Sequence, residues 1–214
     1  MTATAWGLVV VTLAIAGVDW FAVATQNKRL EYVAKPATML PLIALAATLD
    51  AAVPAMVGWF IAALVFGLIG DVFLMLERDE FFVFGLGSFL IGHLAYVVGL
   101  TKGPLSGTGL IVGAVLVFTA IAAIGPTVVT GASTRDRRLG VPVTAYIVTI
   151  SVMVVLAFGT TVPIAILGAL LFLGSDFVIG WSRFVQPFAS AKMVTIVTYH
   201  LGQLLLVISM AIAR

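Results

Sequence analysis

Cysteine is absent from the 214 residues of the chain. Its absence excludes disulfides, zinc–thiolate centres and cysteine nucleophiles. Charge is almost as scarce: 9% of residues are charged and 62% are hydrophobic, whereas soluble domains carry roughly 25% charged residues. A soluble globular protein is therefore excluded. The balance of 11 Lys and Arg against 9 Asp and Glu leaves +2, too little for the basic stripe of a nucleic-acid surface. The two histidines, His93 and His200, lack the H-x-x-x-H spacing of a helical metal site, so neither a metal nor a cofactor is expected. They are also too few for a metal-dependent amide hydrolase of the ceramidase kind. No D-x-x-x-D pair is present, which counts against a prenyl-transferase. The opening Met1–Trp6 stretch has no basic n-region, and the reading is one polytopic membrane domain over residues 1–214.

What the chain has in abundance is long apolar runs. Segments near 4–25, 36–53, 55–76, 81–101, 108–130, 142–158, 163–182 and 190–213 each approach the roughly 20 residues a spanning helix needs. The second is short and holds Pro36 and Pro41. The positive-inside rule arbitrates it. With eight spans, Lys28, Arg29, Lys35, Arg78, Arg135, Arg137, Arg138, Arg183 and Lys192 share one side, leaving Lys102 and Arg214, nine against two. If 36–53 does not cross, the split becomes six against five. The expectation is an all-α protein of eight transmembrane helices, both termini outside the cytoplasm, in a bacterial plasma (inner) membrane. Glu77–Glu80 and Arg135–Arg138 read as solvated loops.

Against that background two carboxylates stand out, Asp71 in Gly70-Asp71-Val72-Phe73 and Asp176 in Gly174-Ser175-Asp176-Phe177. An Asp at the centre of a membrane helix costs about 2.5–3.5 kcal/mol on insertion scales, so it faces a polar interior and marks function. Asp19, Lys35, His93, Tyr199, His200 and Gln203 fall in the same half of the bilayer. Asp19 is expected to pair with Lys28 or Arg29, and Lys35 either snorkels or meets a lipid phosphate. His93-Leu-Ala-Tyr96 follows Asp71 by 22 residues and His200-Leu-Gly-Gln203 follows Asp176 by 24. That spacing admits a parallel four-plus-four repeat, which would place the two Asp residues about a pseudo-two-fold axis.

These residues carry a resemblance. Lys35-Pro36, Gly70-Asp71-Val72-Phe73-Leu74, Gly85-Leu-Gly-Ser88-Phe89 with Gly92-His93-Leu-Ala-Tyr96, Phe172-Leu-Gly-Ser175-Asp176 and Tyr199-His-Leu-Gly-Gln203 together resemble the YhhN family. The resemblance runs from the second span to the last. It implies an eight-span membrane hydrolase that cleaves the vinyl ether of lysoplasmalogens to a fatty aldehyde and a glycerophospho-alcohol. It implies Asp71 and Asp176 as the catalytic pair, with Lys35, His93, Tyr96, Ser175, Tyr199, His200 and Gln203 around the lysophospholipid. His200 stands where the family often has a second aromatic.

Vinyl ether hydrolysis begins with proton transfer to the β-carbon, and water then adds to the oxocarbenium ion. One carboxylic acid and one carboxylate suffice, as in glycosidases, and two facing Asp residues can share a proton and divide the roles. Ser175 beside Asp176 favours Asp176 as acid and Asp71 as base, with Lys35 or Arg183 receiving the phosphate. A proton-coupled transporter of small molecules or lipids would use the same carboxylates; the position of the pair near one face rather than the midplane counts against it. Oligomeric state is not legible in the sequence.

Overall fold

In a bilayer the backbone must satisfy its own hydrogen bonds, so apolar runs of this length become helices. The computed structural model describes residues 1–76 and 78–212, without the side chain of Asp79. Glu77, Arg214 and that side chain, all counted in the sequence reading, lie outside the description. Eight helices follow in order: α1 Ala3–Ala24, α2 Lys28–Thr48, α3 Val57–Met75, α4 Asp79–Leu100, α5 Gly107–Arg135, α6 Gly140–Gly159, α7 Pro163–Phe184 and α8 Ala191–Ser209. Each, with the short turns that lead into α3 and α6, is long and apolar enough to cross a membrane. The chain is an all-α integral membrane protein.

Two helices depart from the limits that hydropathy sets. α2 begins at Lys28 rather than 36 because a polar first turn is well capped. Asn27 Oδ1 accepts from the Leu30 amide at 3.2 Å, and Lys28 Nζ lies 3.1 Å from Glu31. Pro36 and Pro41 then sit inside the helix, leaving the Tyr32 and Ala37 carbonyls without their intrahelical donors. α5 passes Pro126 and continues to Arg135 instead of ending near 130. Ser133 and Thr134 hydroxyls bond carbonyls one turn back, and the Arg135 guanidinium donates to the Arg183 carbonyl at 3.3 Å. Arg135 is thus helical rather than part of a solvated loop.

Helices pack as sequence neighbours, α1 on α2, α3 on α4, α5 on α6 and α7 on α8. α2 then lies against α3, α4 against α6, and α8 closes the bundle against α1 and α2. α8 is the most enclosed helix and α5 the least. Phe60, Leu64, Tyr96, Phe172 and Leu206 fill the centre, while Ile111, Phe118 and Val141 point outward. α7 and α8 touch backbone to backbone. A Cβ on Gly168 would stand 2.9 Å from the Leu206 amide nitrogen, and one on Gly202 would stand 2.9 Å from the Gly168 carbonyl.

Candidate active site

Asp71 projects from the last turns of α3 with its side chain 2% exposed. Gly70 beside it lets the Phe89 ring lie on the helix, since a Cβ there would come within 2.6 Å of that ring. Two groups meet the carboxylate. Lys35 Nζ of α2 is 3.6 Å from Oδ1, and the Tyr199 hydroxyl of α8 donates to Oδ2 at 2.8 Å. Behind Tyr199, Gln203 Nε2 approaches its hydroxyl at 3.4 Å, and Gln203 Oε1 accepts from the Tyr96 hydroxyl of α4. Tyr96, Gln203, Tyr199 and Asp71 therefore form one chain of donors ending on a carboxylate with a lysine beside it. Charge-assisted bonds of this kind are the strong ones.

Asp176 on α7 has a different environment. The Tyr146 hydroxyl of α6 donates to its Oδ2 at 2.7 Å, and His93 Nε2 of α4 stands 3.4 Å from the same atom. His93 Nδ1 is 2.7 Å from the Phe89 carbonyl. A carbonyl only accepts, so Nδ1 carries the hydrogen and the neutral ring presents a bare lone pair at Nε2. A lone pair facing a carboxylate oxygen calls for a proton on one of the two. Phe172 and Tyr146 pack edge-on against the His93 ring and fix its plane.

Beyond Asp176 opens an apolar chamber of about 270 Å³ between α4, α5, α6 and α7. Phe82, Phe89, Ile121, Ile147, Leu173 and Phe177 are among its walls, and Asp176 and Tyr146 supply its polar groups. Asp71 and Lys35 do not line it.

Several expected roles are changed by this geometry. No hydrogen bond joins the two carboxyl groups among the described residues. Asp71 is near enough to act electrostatically on Asp176, but each carboxyl has its own tyrosine and its own basic partner rather than a shared proton. The Ser175 hydroxyl does not reach Asp176. It donates to the Thr195 carbonyl at 3.2 Å and ties α7 to α8, because successive helical residues point about 100° apart. Asp19 is not paired with Lys28. Both its oxygens are buried without a hydrogen-bond partner, and Lys35 is the foremost of the charged groups that act on it. His200 does not mirror His93 as a repeat would require: its Nδ1 accepts from the Trp20 indole at 3.2 Å. Arg183 stacks its guanidinium 3.8 Å over the Phe82 ring. Tyr146 and Trp20 escaped the sequence reading; a lone tyrosine within the apolar span 142–158 was the available signal for the first.

A family model described as the YhhN family matches residues 30–210. Proteins named lysoplasmalogenase from Mycobacterium bovis and Mycobacterium tuberculosis are each 33% identical over 133 residues, covering 59% of this chain and 50% of theirs. Lysoplasmalogenase TMEM86B of Homo sapiens is 34% identical over 149 residues, 69% of this chain and 61% of its own. The chain thus spans about half the length of the mycobacterial relatives. No solved structure matches it.

Proposed function

Because this chain belongs to the YhhN family, we propose that it is a membrane hydrolase cleaving the vinyl ether of a lysoplasmalogen-type lysophospholipid. The observation that carries the reading is the unlike company of two carboxyls, one buried and one nearly so. Asp71 is matched with an ammonium and a phenol donor, which suits an anion. Asp176 meets a bare imidazole nitrogen on the wall of an apolar chamber, which suits an acid holding a proton.

Asp176 gives its proton to the β-carbon and the vinyl π electrons form the new C–H bond, leaving an oxocarbenium ion. Asp71 removes a proton from water as the water oxygen bonds to the α-carbon. In the resulting hemiacetal Asp71 returns its proton to the ether oxygen, and Asp176 takes the hydroxyl proton as the C–O bond breaks. Aldehyde and glycerophospho-alcohol leave, and both carboxyls are restored. His93 and Tyr146 position Asp176, while Tyr199 and Lys35 hold Asp71 ionised. The names of the relatives and the resemblance of the motifs support the substrate class. The positive-inside count supports the further reading that both termini lie outside the cytoplasm, and a bacterial plasma membrane is proposed as the location.

The test is aldehyde release from a defined lysoplasmalogen by purified protein, with Asp71→Asn and Asp176→Asn beside it. Each variant is expected to lose about a hundred- to ten-thousand-fold in rate, the worth of a positioned acid or base, and to elute as folded protein. Wild-type protein that releases no aldehyde, or a variant that keeps its rate, overturns the assignment.

A further inference from the structure

We propose that the chamber between α4, α5, α6 and α7 is the binding site for the hydrocarbon chain of the substrate, and that Gly174 leaves the room its first methylenes take beside Asp176. The inference rests on the hydrolase reading for the identity of the occupant. Its first support is which charged groups reach the chamber. Asp176 lines the chamber, whereas Asp71 and Lys35 do not. A vinyl ether lipid runs in the order chain, β-carbon, α-carbon, then glycerophosphate. A lipid whose β-carbon meets the Asp176 carboxyl can place its remaining carbons in the chamber, with its phosphate outside it.

The second support is a glycine that packing does not explain. Three glycines lie on α7. A Cβ on Gly168 would strike the α8 backbone at 2.9 Å, and one on Gly180 would meet Val128 at 3.3 Å. A Cβ on Gly174 would meet nothing within 4 Å, although Gly174 is on the chamber wall two residues before Asp176. Glycine inside a helix is less favourable than alanine, so helix stability does not ask for it. What glycine provides at this position is room beside the reactive carboxyl. A larger side chain there would occupy space that methylene groups otherwise fill.

The experiment measures binding of saturated 1-O-alkyl glycerophosphoethanolamines, which lack the double bond and cannot be hydrolysed. Decyl and octadecyl chains are compared on the purified full chain. Wild-type protein is expected to bind the octadecyl lipid more tightly. Gly174→Leu is expected to weaken both lipids on the order of tenfold, equivalent to roughly two displaced methylenes. Ile121→Trp, which fills the chamber from α5, is expected to act in the same direction, so the test survives if Gly174→Leu does not accumulate. Gly7→Leu, at an exposed position of α1 where a Cβ meets nothing, is the control and keeps the wild-type profile. Affinities of folded Gly174→Leu and Ile121→Trp for both lipids that match wild type overturn the proposal. Should wild type release no aldehyde from lysoplasmalogen while these variants bind the alkyl lipids more weakly, the hydrolase reading falls and the chain site stands.

Discussion

At the scale of single residues, the site is two tyrosines aiming at two carboxyls. Tyr199→Phe keeps the ring that packs against Phe89 and Phe172 and removes only the donor to Asp71. A hydrogen bond to a charged group is worth about 1.5–3 kcal/mol. kcat/KM for aldehyde release is therefore expected to fall roughly ten- to a hundredfold, with the melting temperature in detergent less affected than the rate. An unchanged rate would remove Tyr199 from the positioning of Asp71. Asp71, Asp176, Lys35 and Tyr199 were legible in the sequence because a polar group within an apolar span is costly and so conspicuous. Tyr146 was not, since tyrosine is half apolar and its partner lies 30 residues further on, on another helix. Ser175 misled for a geometric reason: adjacency in sequence is divergence on a helix.

At the scale of elements, apolar length indicated the number of helices correctly but not all their ends. Hydropathy registers what lies in the hydrocarbon, whereas a helix continues wherever its backbone is satisfied. The polar first turns of α2 and the last turns of α5 fall outside that signal. The fit of helix to helix was also hidden, because close approach shows only in three dimensions. Gly168→Val would force α7 and α8 apart at their backbone contact. Overpacking of this kind costs about 1–3 kcal/mol, and a lower melting temperature in detergent is the expected outcome. Gly7→Val, at an exposed position, is expected to leave it unchanged. Equal melting temperatures would show that the α7–α8 contact yields without cost.

At the scale of the whole molecule, the proposed orientation rests on where the basic residues fall. α2 is long and apolar enough to span, which is the condition for nine of the eleven to share a side. The absence of native cysteine makes labelling clean. A cysteine placed at Asp136 is expected to react with an impermeant thiol reagent from the cytoplasmic side, and one at Gly107 only from outside. The reversed pattern would move Asp71 and Asp176 to the opposite leaflet.

Pro126 lies inside α5, and its neighbour Gly125 is on the chamber wall. Proline denies the Ala122 carbonyl its partner, and helices bend at such points. α5 is moreover the helix least enclosed by the others. The α5 wall is thus the side of the chamber with an interrupted hydrogen-bond ladder and the most exposed face. On the proposal that a lipid chain fills the chamber, a chain somewhat too long for it would press on this wall first. Selectivity against length would then be a slope rather than a cut-off.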